Sequence, residues 1–221
     1  MEDYEAKEYY QNMSAAGQYA SQFRRPLSLS NFRVKTVGWR EETVFLHMLR
    51  QVRLETKKAL DIASGTGRYV KLLLDHGYQV GGADISKEML SFAEQRLGGN
   101  PNLLFLKQGD AASLPFSDNE YDLVTCMRLY HRVPSNIRLR MLQEVKRVGK
   151  GKAILFFGMT NPWLQLRRVI REKILPGRSS DPYPVTMTQL VDELEKVGLT
   201  LKDYAWVLPL LADGLIILVT W

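Results

Sequence analysis

Residues 59–70 read ALDIASGTGRYV. A short apolar run carrying one carboxylate, Asp61, leads into a turn with Gly65 and Gly67, and the amphipathic run GRYVKLLLDHG follows. Strand, glycine turn and helix in that order open a βαβ unit, in which ligands sit beyond the carboxyl ends of parallel strands. Two glycines there allow unusual backbone angles and close approach by a ligand.

The same alternation continues outward to the end of the chain. YQVGGAD reads as a second strand, and SKEMLSFAEQRLGG as a second helix with Ser86 as N-cap and Gly98 near its end. NLLFLKQGD, YDLVTCM and KAILFFG supply three further strands, and SNIRLRMLQEVKRVG is a long helix with Ile137, Met141, Val145 and Val148 on its inner stripe. Trp163 to Ile174 is amphipathic and TMTQLVDELEKVGL is helical, while LKDYAWVLPLL and GLIILVTW form a closing hairpin around a tight ADG. Near-continuous apolar strands separated by helices require a mainly parallel sheet covered on both faces, so the fold class is α/β.

Upstream, residues 1–56 lack a sheet pattern and read as a helical N-terminal cap on a core of residues 57–221. Tyr9, Tyr10, Met13 and Tyr19 are lid candidates, or pack their own helix. REETVFLHMLRQV is a second helix, and Pro26 with LSLSNF is a connector between the two. No repeat or linker divides the 221 residues, so one domain is expected. Cys126 is the only cysteine, which rules out an intrachain disulfide and a multi-thiol zinc site. The acidic start MEDYEAKEYY is not a secretory leader, and no uninterrupted apolar run reaches a membrane span, so a cytoplasmic location is expected. Composition leaves the oligomeric state open.

The net charge is +6, from 30 basic and 24 acidic residues, and it is regional. Residues 132–178 hold twelve Lys or Arg against Glu144 and Glu172, a local net of +10 that leaves −4 elsewhere. Such a region attracts an anionic substrate, nucleic acid or lipid, or simply solvates a helical face.

The glycine turn excludes two ligands by its chemistry. A dinucleotide fingerprint wants G-x-G-x-x-G, but Val70 occupies the third glycine position, and no Lys-Ser or Lys-Thr follows the turn as a phosphate loop requires. Asp61 would also repel a pyrophosphate, whereas it would stabilise an ammonium. Asp84 ends the second strand 17 residues after Gly67, where a carboxylate accepts ribose hydroxyls, and Asp110 ends the third. Each alone is an ordinary cap or loop residue, but the three at successive strand ends face one crevice.

These stretches resemble class I S-adenosylmethionine-dependent methyltransferases of the compact small-molecule type, over residues 58–221. ALDIASGTGRY is similar to the first motif of that family, VGGADISKEML to its ribose motif, LKQGDAASLPF to its adenine-side motif, and YDLVTCMRLYHRV to its fourth-strand motif. MLQEVKRVGKGKAILFF is similar to the helix and fifth strand that follow. The resemblance implies a Rossmann-like seven-stranded sheet whose last strand is antiparallel, with S-adenosyl-L-methionine as cofactor. It implies that Asp61 and the turn at Ala63, Gly65 and Gly67 hold the methionine portion, Asp84 the ribose, Ile85 and Met89 the adenine faces, and Asp110 and Ala111 the adenine edge. Ala63 replaces the usual first glycine, the smallest departure available.

Methyl transfer needs an acceptor nucleophile held in line with the methyl carbon, and no metal. With three histidines and no HExxH there is no metal-site pattern. The CMRLYHRV loop is where cofactor and acceptor meet, with His131 as candidate base, Tyr130 as hydrogen-bonding or aromatic partner and Arg128 on the acceptor side. Their plainer roles are loop ordering, packing and a solvated cation. Residues 161–185 form a candidate substrate-facing insertion, with Trp163 as a wall and Arg167 facing an anion or solvent, and Tyr10 would cover the acceptor from the cap. The expected reaction is methylation of oxygen, nitrogen or carbon on a small, anionic or neutral molecule. An RNA methyltransferase, a non-catalytic cofactor-binding scaffold and a dehydrogenase are the alternatives.

Overall fold

A computed structural model describes residues 29–52, 57–174, 182–209 and 213–221, with the side chains of 29–35, 167–168 and 171–174 outside that description. The expected first helix, with Tyr9, Tyr10, Met13 and Tyr19, lies outside the described residues. In chain order the elements are α1 (Leu29–Gln51), β1 (Lys58–Ile62), α2 (Arg68–Asp75), β2 (Gln79–Asp84), α3 (Lys87–Leu97), β3 (Leu103–Gln108) and β4 (Leu123–Cys126). A 3-10 turn (Tyr130–Arg132) follows, then α4 (Ser135–Val148), β5 (Lys152–Gly158), α5 (Pro162–Ile174), α6 (Met187–Val197), β6 (Thr200–Trp206) and β7 (Gly214–Thr220).

The strands make one seven-stranded sheet in the order β3-β2-β1-β4-β5-β7-β6. Pairing is parallel from β3 through β5, and β7 enters antiparallel between β5 and β6, as the α/β reading with an antiparallel last strand anticipates. The order reverses at β1, whose neighbours are β2 and β4, so the crevice at the switch point opens above the end of β1.

Strand alternation divides the core. Leu60, Ile62, Val124, Cys126, Leu155 and Phe157 face the side covered by α4 and α6. Ala59, Leu123, Ile154 and Phe156 face the side covered by α1 and α2, where Phe45, Met48, Val70 and Leu73 meet them. Burying each large apolar side chain contributes about 1.5–3 kcal/mol, so the two interior faces dominate the stability. Gly81 and Gly82 in β2 have a packing reason: a Cβ would lie 2.3 Å from the Phe105 ring and 2.6 Å from Leu106.

Two expectations change. LSLSNF is not wholly a connector, because α1 already begins at Leu29. The buried stripe of Val44, Phe45, Met48 and Leu49 anchors a longer helix than local polarity suggests. The final hairpin does not turn at a tight ADG either. β6 ends at Trp206 and β7 starts at Gly214, with Val207 N–H donating to Gly214 O at 2.9 Å. Pro209 has no N–H with which to extend the ladder. Among the described residues, no helix is long and apolar enough to cross a membrane.

Candidate functional site

Asp61 and Thr125 are register partners on β1 and β4 and point to the same face. The Thr125 hydroxyl donates to Asp61 Oδ1 at 2.6 Å. Asp61 is 1% exposed, and burial pushes its carboxyl up to about 7, opposed by the Thr125 hydrogen bond and reinforced by the charge of Asp84. Beyond it the chain turns through left-handed residues Ala63 (φ 55°), Gly65 (φ 54°) and Gly67 (φ 75°). Ser64 N–H donates to Ala83 O at 3.0 Å and Gly67 N–H to Ser64 O at 2.9 Å, which closes the turn against β2. Gly67 has a second reason to be glycine, since its Cβ would meet Leu97 at 2.5 Å. At Gly65 the nearest atom a Cβ would meet is Ala63 O at 4.0 Å, leaving the backbone open to a ligand.

Asp84, 8% exposed at the end of β2, joins this turn to the next loop. Its Oδ2 accepts from Gly65 N–H at 2.7 Å and its Oδ1 from Ser86 N–H at 2.9 Å. Burial raises its pKa against the lowering effect of the Ser86, Gly65 and Ile85 amides. Three amide donors leave the carboxylate about one further lone pair for a hydroxyl donor. Ile85 is half-buried, and its carbonyl accepts from Gln108 Nε2 at 2.9 Å, which ties the β2 and β3 loops together. Met89 is buried in the first turn of α3, where Ser86 Oγ caps its amide at 3.3 Å. Asp110 Oδ1 accepts from Ala112 N–H at 2.9 Å, so this carboxylate shapes the turn that carries the buried Ala111.

The β4 loop departs further from expectation. Arg128 has a left-handed backbone (φ 62°), and its Nη1 reaches Glu41 of α1 at 3.2 and 3.4 Å. Glu41 is 2% exposed and also accepts from Arg68 Nη1 and Tyr69 OH, both at 3.4 Å, while Arg68 Nε donates to Glu42 at 2.8 Å. Helix α1 is thereby fastened both to the first turn of α2 and to the loop after β4. Tyr130 is fully buried, stacked on Phe157 with ring centroids 4.7 Å apart, and burial beside the Cys126 thiol holds its pKa well above normal. His131 is 3% exposed and packs edgewise on Phe156 at 5.5 Å. Burial, then Arg132 and Arg128, drive its pKa well below normal, so the ring is neutral.

The structure therefore places Asp61, Ala63, Gly65 and Gly67 along one strand–turn–helix junction, ties that turn to Asp84 through the Gly65 amide, and sets Ile85, Asp110 and Ala111 on the adjoining strand ends. Tyr130 sits in the core, Trp163 stands at the outer start of α5, Arg167 belongs to the same helix, and Tyr10 falls outside the described residues. Sequence reasoning missed Thr125, Glu41 and the Arg138–Glu193 pair. In that pair Nε and Nη2 bind the carboxylate at 2.6 and 2.7 Å, while Nη1 holds the Tyr130 and Val133 carbonyls. Only the paired acids in WREETV signalled Glu41, and nothing fixed their partners. The basic stretch is also not one patch: Arg138, Arg147 and Lys150 are taken up by Glu193, Glu144, Asp118 and Asp122. Among the described residues no group of three His, Cys, Asp or Glu could hold a metal ion.

Residues 60–157 match the family model for a methyltransferase domain. The Bacillus subtilis protein YqeM is 36% identical over 105 residues, covering 47% of this chain and 42% of its own length. The Bacillus pumilus demethylmenaquinone methyltransferase is 36% identical over 116 residues, covering 51% and 47%. These matches thus span less than half of either relative. The crystal structure of magnesium protoporphyrin IX methyltransferase from Synechocystis, solved with bound SAH, superposes with a TM-score of 0.79 at 18% identity over 97% of both chains, a likeness of fold. A strand order reversing at β1, an acid-bearing glycine turn and a buried carboxylate at the end of β2 coincide with that match, and over residues 60–157 the chain resembles class I S-adenosylmethionine-dependent methyltransferases.

Proposed function

We propose that the protein binds S-adenosyl-L-methionine over the turn after β1 and catalyses transfer of its methyl group to a small-molecule nucleophile. The observation that carries this is Asp61: a carboxyl buried at the floor of a glycine turn, its pKa lifted to about 7, is suited to an ammonium group rather than a phosphate. Asp61 and the open backbone at Ala63 and Gly65 would hold the amino-acid end, with Gly67 setting the start of α2. Asp84 would accept from the ribose hydroxyls, and Ile85, Met89, Asp110 and Ala111 would border the adenine. Bound there, the cofactor supplies an electrophilic methyl group on a sulfonium.

The chain's own contribution is placement and exclusion of water. The β4 loop, held by Glu41 through Arg128 and by Arg138 through the Tyr130 and Val133 carbonyls, would fix the acceptor side. His131, neutral at physiological pH, is our candidate for the proton leaving the acceptor, and Tyr130, stacked on Phe157, would act as a positioning residue by anchoring the loop that carries it. Trp163 and Arg167 on α5, with Tyr10 from the cap, are proposed to border the acceptor. Relatives named for demethylmenaquinone and magnesium protoporphyrin IX point to a ring-bearing, largely apolar acceptor, and an exposed Trp163 suits one.

Calorimetry of S-adenosylmethionine against NAD, followed by transfer of a labelled methyl group to quinone and porphyrin acceptors, tests this reading. Cofactor binding and labelled product are the expected results. Preferential NAD binding would overturn it, as would cofactor binding with no transfer across a broad acceptor panel.

A further inference from the structure

Eight large apolar side chains are exposed among the described residues, and their distribution is uneven. Leu104 and Tyr204 lie on the edge strands β3 and β6. The other six border the carboxyl edge of the sheet, the edge that carries Asp61 and Asp84. Trp163, Leu166, Val169 and Ile170, each about half exposed (49–55%), belong to α5, which leaves the end of β5. Tyr183 donates its amide to His131 O, in the β4 loop. Trp39 is the most exposed at 62%, and its neighbour Arg40 donates to Val207 O, beside the end of β7 that pairs with Gly158.

Helix α5 is inverted relative to a helix that covers a core. Leu164 alone among its described side chains is buried, while positions 163, 166 and 170, which share a face at helical spacing, are open. The same thirteen residues carry Arg167, Arg168, Arg171 and Lys173 against Glu172, a net of +3. Exposed Trp and aliphatic residues on a basic helix are the chemistry of an interfacial helix lying on an anionic bilayer, with Trp and Tyr at headgroup level. No described helix could span the bilayer, so the contact would be peripheral.

We propose that this edge, centred on α5 with Trp39 and Tyr183 at its rim, docks on an anionic lipid surface. The docking itself needs no catalysis. Its use for drawing an apolar acceptor from the bilayer rests on the methyl-transfer reading.

The test is co-sedimentation of the full chain with phosphatidylcholine vesicles with and without phosphatidylglycerol. Quenching of tryptophan by brominated lipid and calorimetry of S-adenosylmethionine are run on the same samples. Binding to the phosphatidylglycerol vesicles, tryptophan quenching and loss of binding in high salt are expected. Leu166→Gln with Ile170→Gln should lower the bound fraction roughly tenfold, and Arg168→Glu with Arg171→Glu should abolish the preference for anionic lipid, both with unchanged cofactor affinity. Failure to bind vesicles overturns the proposal, as does binding that neither double variant changes. So does self-association removed by Leu166→Gln/Ile170→Gln without any lipid binding. Vesicle binding in a protein that fails to bind cofactor would support the docking surface while rejecting the methyltransferase reading.

Discussion

The Thr125 hydroxyl donates to Asp61 Oδ1 at 2.6 Å across the β1–β4 pair, and among the described residues it is the one side-chain donor to that carboxylate. A group 1% exposed with one neutral donor is poorly stabilised as an anion, which is why burial outweighs Thr125 and its pKa rises to about 7. The site is thus electrostatically unsatisfied until a cation arrives.

A pH dependence of cofactor binding follows. The ionised Asp61 is the form that pairs with an ammonium, so above about pH 7 affinity should be flat, and below it affinity should fall by about tenfold per unit as the carboxyl takes up a proton. Binding near neutrality should release a fraction of a proton, seen as a calorimetric enthalpy that varies with the ionisation enthalpy of the buffer. Constant affinity from about pH 8 down to about pH 5 would show that Asp61 faces no charged ligand group.

The same shift sets a stability cost with the opposite slope. Between the ordinary aspartate value of 3.8 and the folded value of about 7, the native state binds the proton more tightly than the unfolded chain, so stability is fully present below about 4 and is lost as pH rises towards 7. The loss is on the order of 4 kcal/mol before residual denatured-state burial is allowed for. Asp61→Asn keeps an acceptor for Thr125 and removes the charge. It should raise the ligand-free urea midpoint at pH 8 while weakening cofactor binding, a stability gain at the expense of function. A variant less stable than the parent at pH 8 would contradict this.

Asp84 works through both of its oxygens. Asp84→Asn would set an amide N–H against either the Gly65 or the Ser86 N–H, both of which now donate to it. Loss of one charge-assisted hydrogen bond of about 1.5–3 kcal/mol predicts roughly a 10–100-fold weaker cofactor affinity, with slowed exchange lost at the Gly65 amide. Affinity unchanged in the folded variant would remove Asp84 from the site.

How far the sequence could foresee this depends on the range of each interaction. Asp61, Gly65, Gly67 and Asp84 were legible because each sits at a strand–turn–helix junction whose local pattern is strong, and the strand ends of an α/β fold converge on one edge. Thr125 is 64 residues from Asp61, and Arg128 is 87 from Glu41; these partners follow from sheet register and helix docking rather than from spacing. Twelve basic residues over 132–178 looked like one surface, but helix α4 turns Arg138 inward against Glu193, which lies 55 residues away. One-dimensional charge counts do not separate a buried pair from an exposed cation.

Glu41 should behave as a positioning residue for the β4 loop. It is 2% exposed and holds Arg68 and Arg128, whose side chains are 17% and 35% exposed, so the full penalty for breaking a buried pair is reduced by solvent access. Glu41→Ala should cost about 2 kcal/mol in urea denaturation and release the left-handed backbone at Arg128. The rate of methyl transfer at saturating cofactor should then fall while cofactor affinity changes little. Equal loss of both would show only general unfolding of the edge, and Glu41→Gln should restore part of the rate by keeping two acceptor sites on its oxygen.

Ala63 gives the last prediction, because the methyl group at this position matters through backbone angle as well as size. At φ 55° an L-residue is destabilised by about 1–2 kcal/mol. Glycine relieves that strain but adds about 0.5–1 kcal/mol of unfolded-state entropy. Ala63→Gly should therefore stabilise the ligand-free protein by about 0.5–1 kcal/mol, measured by urea denaturation, in contrast to Gly67→Ala, where the new methyl would meet Leu97 at 2.5 Å and destabilise the turn. If Ala63 also stands in the path of the amino-acid end of the cofactor, Ala63→Gly should tighten binding as well. A stabilised protein with unaltered cofactor affinity would confine Ala63 to backbone strain and leave ligand contact to Gly65.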